Sequence, residues 1–386
     1  NDWKLAQLGD ICHVVSGAKT TESTEDYLEI GDVDIINKTY DLSNKVKKTI
    51  KGAVNVPRGT LLISKVRPTR GAIVITKQDI NVSTADIPNK FFYYVVNQKD
   101  FLRYLGSQAK GSTYPTCKDE DVLKYEFVYP SNKTEQYKIG HILSIVDEEI
   151  AKIDEIIHAT EKLKLGLATQ LFTNGIGNSN FSNTELGKLP SSWKVERLDK
   201  VSKIERGKFS HRPRNAPEFY GGNIPFIQTS DVVNSGGKIR AYNQSLNEKG
   251  LSVSKLFPKG TIVVTIAANI GDTAILEFDS AFPDSLVGIT VGDNMNNFFL
   301  EYYLRTRKDY LNSISTQSAQ KNINLQKLNP MLVVRPPLEE QQKIVKILSA
   351  VDDKISLNKQ LKSRFLILKG GLMKDLLSGK VRTIIN

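Results

Sequence analysis

Side chains that can bind phosphate or read the edges of bases are concentrated in loops between short apolar runs. Lysine and arginine pair with phosphates, whereas arginine, asparagine, glutamine, serine and threonine have donors and acceptors that distinguish base edges. A single loop of this kind more often faces solvent without binding any ligand. The prediction of DNA binding therefore depends on the whole set of loops. The candidate DNA-binding residues are Lys19, Thr20, Lys65, Arg67, Arg70, Lys110, Ser112, Thr113, Tyr114, Arg206, Lys208, Ser210, His211, Arg212, Arg214, Asn269, Gln317, Gln320, Lys321 and Asn322.

The charge balance also favours a polyanionic partner. The 386 residues include 53 lysines and arginines against 42 aspartates and glutamates, which gives a net charge of +11. The segments that contain these loops are basic, whereas the segment 135–172 is acidic. Basic soluble proteins without a nucleic-acid role are also common, so the charge alone leaves the partner open.

Motifs that would indicate an enzyme are missing. The sequence contains no GxxxxGK[ST] phosphate loop, no glycine-rich turn for a methyl donor or dinucleotide, and no HExxH. Pro283-Asp284 matches the start of a nuclease motif, but no Glu-x-Lys follows in the next strand. We therefore predict no catalytic residue. The alternatives are a nuclease with an unrecognised metal site and a protein-interaction scaffold whose basic charge is incidental.

The two cysteines, Cys12 and Cys117, show neither CxxC nor Cys/His metal spacing. We predict no metal site and no disulfide framework, and a reducing cytoplasm as the compartment. No apolar run approaches the roughly 20 residues that cross a bilayer. The first residues also lack the basic start and apolar core of a signal peptide, so we expect no membrane partner.

An internal repeat organises the chain. The segment EQYKIGHILSIVDEEI at 135–150 recurs as EQQKIVKILSAVDDKI at 340–355, with ten of sixteen positions identical. The order of the chain is therefore domain, helix, domain, helix. The preceding segments repeat more faintly, as WKL at 3–5 and WKV at 193–195, and as the DV pairs at 32–33 and 231–232.

The repeated segments begin two predicted coiled-coil helices. From Ile139 to Ile157, apolar residues recur in alternating steps of four and three, which is the pattern of a helical seam. The second copy has Asn358 in the place of Ile153, where a polar residue weakens the seam but can fix its register. The two stripes most simply bury each other as an antiparallel pair, and each helix would span about 57 Å at roughly 1.5 Å per residue. The alternative is a coiled coil that merely packs or dimerises.

Between the helices, short β-rich runs alternate with turns rich in Gly, Pro and Asn. We predict the fold class α/β (α+β), with two similar mixed α/β domains separated by two long antiparallel coiled-coil helices in a pseudo-two-fold internal repeat. The predicted segments are a first domain at 1–134, a central helix at 135–175, a second domain with its lead-in linker at 176–337 and a C-terminal helix at 338–386. The predicted strands are 60–63, 72–75, 91–96, 125–129, 262–266, 273–278 and 286–291.

In these motifs the chain resembles the DNA specificity subunit of type I restriction-modification enzymes over essentially its whole length. The SG pair at 16–17 and the RG pair at 206–207 look like the family's glycine turns. The resemblance is weaker at the start, since no counterpart of 186–190 precedes Trp3 and no initiator Met is present. The most specific matches are the EQ-x-K-I helix starts at 135–139 and 340–344, PPL at 336–338, and LGKLP at 186–190 leading to Trp193.

The resemblance implies that 1–134 and 176–337 are target recognition domains, each reading half of a split DNA site, with the helices setting the spacing and docking methyltransferase subunits. It implies no cofactor in this chain, and S-adenosylmethionine, ATP and magnesium on methyltransferase and endonuclease/translocase partners. A two-fold homodimer reads a palindrome, whereas a duplicated and diverged chain allows unequal half-sites. We therefore predict an asymmetric, bipartite target in double-stranded DNA. A system without the endonuclease, which serves modification alone, is a variant of this reading.

Overall fold

The chain folds into two compact units, each of which combines one globular domain with part of both long helices. The computed structural model describes residues 2–12, 33–35, 39–40, 61–63, 67–71, 73–75, 89–267, 269–315 and 322–383. The first unit comprises Asn1–Ile157 and Leu357–Asn386, and the second comprises His158–Ser356. No helix in these described ranges is both long enough and apolar enough to cross a membrane.

The first unit is a mixed α/β domain built against the start of a long helix. Its core packs Phe91, Phe101 and Leu105 of the domain against Ile139 and Leu143 of that helix. The helices are α1 Leu8–Ile11, α2 Asn89–Val96, α3 Lys99–Gln108, α4 Asp119–Leu123 and the long α5 Lys133–Thr173, which continues into the second unit, and the strands are β1 Trp3–Gln7, β2 Val33–Asp34, β3 Thr39–Tyr40, β4 Leu61–Ile63, β5 Ile73–Ile75 and β6 Glu126–Pro130. The strands pair antiparallel as β1 with β6, β2 with β3, and β4 with β5.

The prediction of a strand at 91–96 is wrong, because these residues form most of helix α2. An uninterrupted apolar run fits a buried helix as well as a buried strand, and tertiary packing decides between them. Here a Cβ on Gly140 of α5 would lie 2.9 Å from the Phe91 backbone nitrogen, so the two helices approach very closely. The other predicted strands overlap β4, β5 and β6 in this unit.

The second unit contains a larger set of sheets. Its helices are α6 Leu198–Val201, α7 Thr229–Asn234, α8 Glu248–Ser252, α9 Asn297–Thr306, α10 Lys308–Ser313, α11 Leu325–Leu328 and the long α12 Leu338–Leu377, and its strands are β7 Phe181–Thr184, β8 Gly187–Pro190, β9 Lys194–Arg197, β10 Ser202–Arg206, β11 Tyr220–Phe226, β12 Lys238–Ile239, β13 Gln244–Leu246, β14 Leu256–Phe257, β15 Ile262–Thr265, β16 Thr273–Leu276, β17 Ser280–Ala281, β18 Leu286–Val291 and β19 Leu332–Arg335. Strands β10, β18, β15, β16 and β12 form a five-stranded sheet, and β13, β11, β17 and β14 form a four-stranded sheet. Strands β15, β16 and β18 confirm three predicted strands. Its largest apolar cluster includes Leu300 and Tyr303 of α9 with Ile344 and Leu348 of α12.

The predicted apolar seam is buried along both long helices. Within α5, the seam residues Ile139, Leu143, Val146, Ile150, Ile153 and Ile157 are all buried. The second copy is less completely covered, since Asn358 and Phe365 are only half-buried. The four-three spacing therefore identified the buried face correctly, and the copy with the polar substitution is the more exposed one.

Ion pairs show that the helices run antiparallel within the first unit. Lys369 of α12 lies 2.6 Å from Asp147 of α5, and Lys362 lies 2.6 Å from Asp154. The partner aspartate moves seven residues towards the C-terminus of α5 while the partner lysine moves seven residues towards the N-terminus of α12. The predicted antiparallel pairing is confirmed in this unit.

The glutamine of the repeated EQ-x-K-I motif fixes the entry into each long helix. Gln136 Nε2 donates to the Pro130 carbonyl at 2.7 Å, and Gln341 Nε2 donates to the Pro336 carbonyl at 2.8 Å. A helix start leaves backbone groups without helical partners, and a buried carbonyl needs a donor. The motif is therefore a structural device that both copies use in the same way.

The glutamate of the same motif binds the chain that leaves the opposite long helix. In the second unit, Glu340 accepts from the backbone N–H of Ile176 at 2.9 Å and from Trp193 Nε1 at 2.9 Å. In the first unit, the buried Glu135 pairs with Arg382 at 2.7 Å. Since Ile176 follows α5 and Arg382 follows α12, each unit is closed by the same kind of contact.

Candidate nucleic-acid interface

Two of the predicted loops come together in the first unit around Arg67. Its backbone N–H donates to the Pro115 carbonyl at 2.7 Å, and its Nη2 donates to the Thr113 carbonyl at 3.4 Å. The guanidinium carbon also lies 4.6 Å from the centre of the Tyr114 ring. Arg67 has a φ of 48°, a left-handed conformation that a non-glycine residue adopts only where its surroundings hold it.

The loop that faces Arg67 is closed at its base and exposed at its tip. The backbones of Lys110 and Thr116 exchange two hydrogen bonds of 2.9 Å. Between them, Ser112 and Thr113 are exposed and Tyr114 is 64% exposed. Arg70, also exposed, ends the short 3-10 helix Pro68–Arg70. We call this group the first loop cluster: Arg67, Arg70, Lys110, Ser112, Thr113 and Tyr114.

Three predicted arginines of the second unit meet at Asp284. Its carboxylate forms an ion pair with Arg214 and lies 3.7 Å from Arg212 Nη2. Its backbone carbonyl accepts from Arg206 Nε at 2.6 Å. We call these four residues the arginine cluster. All three arginines are exposed, so the cluster can present positive charge to phosphates.

The glycine after Arg206 is required by a close approach. A Cβ on Gly207 would lie 2.3 Å from the Pro283 carbonyl oxygen, which no side chain could tolerate. The backbone N–H of Lys208 then donates to the Phe282 carbonyl at 3.0 Å. The predicted glycine turn therefore brings the loop that starts at Arg206 against the segment that contains Asp284.

A cavity of about 560 Å³ lies beside the arginine cluster. Phe209 and Phe226 are buried beneath it, and Gln228 Nε2 donates to Gln244 Oε1 at 2.9 Å on its wall. Burial raises the pKa of Tyr220, with Arg214 acting in the opposite direction, so the phenol remains a neutral donor at physiological pH. The lining residues are Phe209, Arg214, Asn215, Tyr220, Phe226, Gln228, Thr229, Ser230, Gln244 and Pro283.

Sequence reasoning missed the amides and hydroxyls of this cavity. A signal for them was present, because Gln228-Thr229-Ser230 directly precedes one of the repeated DV pairs. The first copy has Glu-Ile-Gly at the matching positions 29–31. The repeated pair with unlike residues before it is the pattern expected of a common framework with different specificity.

The remaining predicted residues lie in separate places. Ser210 donates its hydroxyl to the Val253 carbonyl at 3.2 Å, and the His211 ring lies 4.3 Å from that of Phe219. Asn269 is exposed in the turn between β15 and β16, and Asn322 forms a backbone bridge with Ala267 beside that turn. Lys208 is exposed. The predicted residues Lys19, Thr20, Lys65, Gln317, Gln320 and Lys321 lie outside the described residues.

The cysteines form no disulfide, since Cys12 and Cys117 are both free thiols. Burial raises the pKa of Cys12 to about 11, so its thiol stays protonated and unreactive at neutral pH. Within the described ranges, no group of three His, Cys, Asp or Glu residues is arranged to hold a metal ion.

The sequence matches a model of the type I restriction modification DNA specificity domain at residues 1–161 and again at 190–364. The chain belongs to this family. It is the DNA specificity subunit of a type I restriction-modification system, and it directs methylation and restriction. The family resemblance predicted from the sequence is confirmed, and the readings as a nuclease or an unrelated scaffold are superseded.

Curated relatives match the specificity subunit along nearly its whole length. The type I restriction enzyme MjaVIII specificity subunit of Methanocaldococcus jannaschii is 25% identical, covering 99% of this chain and 93% of the relative. The HindI specificity subunit of Haemophilus influenzae is 21% identical, covering 99% and 100%. The chain therefore spans nearly the full length of these relatives.

Solved structures share the fold of the specificity subunit. A chain from a study of complex assembly and conformational transition of the type I R-M system has a TM-score of 0.62, 18% identity and 98% coverage of both chains. The type I S subunit of M. genitalium has a TM-score of 0.58, 17% identity, and coverage of 97% of this chain and 96% of that one. The predicted mixed α/β fold with two long helices is confirmed.

The substitution Asp284→Asn is expected to raise the affinity for DNA of unrelated sequence about two- to fivefold. Removing the carboxylate charge leaves Arg212 and Arg214 available to phosphates, and an unscreened charge matters most at low salt. The measurement is the Kd for a random duplex at about 50 and 200 mM salt, and the gain should shrink at the higher concentration.

Asp293→Asn is the matched control, since it makes the same change of charge at an exposed carboxylate beyond β18. An equal gain from both variants would mean that only net charge matters. A loss of affinity with Asp284→Asn would mean that the carboxylate positions the arginines instead of neutralising them.

Proposed function

We propose that this specificity subunit reads an asymmetric, bipartite site in double-stranded DNA, one half with each globular domain. The observation that carries the proposal is a shared framework with unlike reading surfaces. Both units use the same Glu-Gln helix start. Yet the first presents the first loop cluster, whereas the second presents the arginine cluster and an amide-lined cavity. Equal surfaces in two-fold positions would read a palindrome, and unlike surfaces do not.

The proposed division of labour follows the repeat. Residues 1–134 and 176–337 are the two target recognition domains, and residues 135–175 and 338–386 are the helices that set the spacing between the half-sites. A duplex rises about 3.4 Å per base pair, so a helical spacer of fixed length fits one number of unread base pairs.

In the first half-site, we assign reading to the first loop cluster together with Lys19, Thr20 and Lys65. An arginine can contact a guanine edge with two hydrogen bonds, and a tyrosine can pack on or bond to the sugar-phosphate backbone. The contact between Arg67 and Tyr114 holds the guanidinium in place before DNA arrives. Less side-chain entropy is then lost on binding.

In the second half-site, we assign reading to the arginine cluster and the cavity wall, with contributions from Lys208, Ser210, His211, Asn269 and the polar residues Gln317, Gln320, Lys321 and Asn322. Gln228 and Gln244 already bond to each other, which orients both amides. An oriented glutamine can make the paired contacts to adenine N6 and N7. The second domain is therefore suited to a half-site that contains an adenine.

The proposed protein partners are methyltransferase subunits, joined for restriction by endonuclease/translocase subunits. S-adenosylmethionine, ATP and magnesium bind to those partner subunits. The complex is proposed to work in the cytoplasm. The long helices have apolar side chains that face solvent, including Leu165, which is 67% exposed, and Ile367, which is 73% exposed. We assign these exposed apolar side chains to contacts with the methyltransferase, because burying them against a partner would remove apolar surface from water.

The decisive experiment maps methylated bases in the host genome with and without this gene. We expect one motif to disappear, with two unequal halves and a fixed gap, and to return when the wild-type gene is restored. Loss of a palindromic or continuous motif would contradict the proposal. So would a methylation pattern that does not depend on the gene.

A further inference from the structure

A Tyr–Asp–Lys triad joins the globular domain of the second unit to both long helices. Tyr302 of α9 donates its hydroxyl to Asp352 Oδ2 at 2.7 Å, and Lys164 Nζ lies 2.5 Å from Asp352 Oδ1. Asp352 belongs to α12 and Lys164 to α5. One carboxylate therefore ties three elements together at a single point.

The first unit contains the same triad. Tyr94 of α2 donates to Asp147 Oδ2 at 2.7 Å, and Lys369 Nζ lies 2.6 Å from Asp147 Oδ1. The roles of the two long helices are exchanged, because here the aspartate belongs to α5 and the lysine to α12. The ammonium also lies over the tyrosine ring, at 5.6 Å here and 5.4 Å in the second unit. The loops of the two domains have diverged, but this junction has not.

In the second unit, apolar packing and the contacts of Gln341 to Asn294 and Asn296 hold the domain against α12, and the triad adds a further directional contact. Hydrophobic attraction has no direction, whereas a hydrogen bond requires a narrow range of distance and angle. The triads lie at the margin of the packed interface, where Asp352 is 27% and Lys164 17% exposed. A polar contact in this position is suited to restricting the rotation of the domain more than to adding stability.

In the second unit, a chain of contacts leads from the triad towards a loop predicted to bind DNA. Thr273, which begins β16 just after the Asn269 turn, donates its hydroxyl to Glu301 Oε1 at 2.9 Å. Glu301 precedes Tyr302 in α9 and pairs with Arg305 at 2.6 Å. The orientation of α9 and the position of the loop are therefore linked.

We propose that the two triads are positioning devices that determine how strictly the specificity subunit discriminates the distance between its half-sites. The inference rests on the bipartite function proposed above. A domain locked in one orientation on its helices presents its loops at one place along the duplex. A domain that can rotate reaches half-sites displaced by one base pair, about 3.4 Å.

The test uses the methyltransferase complex assembled with the wild-type chain or with Tyr302→Phe. Methylation rates are measured on duplexes that keep both half-sites and have the native gap, one base pair less or one more. The rate on displaced sites relative to the native site should rise about five- to tenfold, as expected for loss of one hydrogen bond of ordinary strength. Base preference within each half-site should not change, and Tyr94→Phe should act in the same way.

Tyr303→Phe is the matched control. Tyr303 follows Tyr302 in α9, and its buried ring packs 5.6 Å from that of Phe172, so the variant removes a hydroxyl outside the triad. Its spacing ratio should equal that of the wild type. The positioning role would be overturned if Tyr302→Phe lowered the methylation rate by the same factor at all three gap lengths. It would also be overturned if Tyr303→Phe raised the relative rate on displaced sites as much as Tyr302→Phe does. If the wild type itself methylated all gaps equally, the bipartite proposal would fail together with this one.

Discussion

Exchanging residues 1–134 for the matching segment of a relative with a different target is expected to change one half of the recognised motif and leave the other half unaltered. Each mismatched base pair costs about 1–3 kcal/mol. A half-site with several changed base pairs should therefore shift the preference by roughly a thousandfold or more. Genome-wide mapping of methylated bases in cells that express the chimera measures both halves at once.

The structure shows what the donor segment must supply. The junction falls between Pro130, whose contact to Gln136 uses only a backbone carbonyl, and the retained Glu135. The donor needs apolar residues that pack on Ile139 and a tyrosine in the position of Tyr94 to reach Asp147. The reciprocal exchange of 176–337 should alter only the other half. A chimera whose two half-sites both changed would disprove the division of labour.

Replacing Leu348 by alanine is expected to lower the free energy of unfolding by about 3 kcal/mol. Leu348 is fully buried where α12 packs against the core of the second unit, and its neighbours in a dense core cannot close the resulting cavity. Urea unfolding of the purified chain, followed by circular dichroism at 222 nm over the complete unfolding curve, measures the loss.

Leu357→Ala supplies the comparison on the same helix, because Leu357 is 66% exposed. It removes the same atoms from a largely solvated position, so the cost should stay below about 0.5 kcal/mol. Similar losses from both variants would mean that the seam residues do not form the packed face of the helix. Methylation should be lost with Leu348→Ala at temperatures where the second unit unfolds.

Spacing and repetition were sufficient to predict the scaffold. The four-three steps from Ile139 to Ile157 reflect helix geometry, which depends only on neighbours along the chain. The duplicated EQ-x-K-I starts gave the order of domains and helices, and with the flanking motifs they identified the family. The prediction of a strand at 91–96 was wrong because the sequence of this segment does not by itself distinguish a strand from a helix. Its six apolar residues fit either structure locally, and the close approach of Gly140 from another element selected the helix.

The sequence by itself determined the class of protein and the buried face of each long helix, and it supplied the candidate DNA-binding loops. Only the tertiary structure decided which of the candidate side chains lie together. Asp284 meets Arg206 and Arg214 from 70 to 78 residues away, and Tyr302 of α9 reaches Asp352 of α12 from 50 residues away. Contacts between residues so far apart in the sequence form only when the chain folds around its core. The spacing of residue types within one segment therefore cannot predict them.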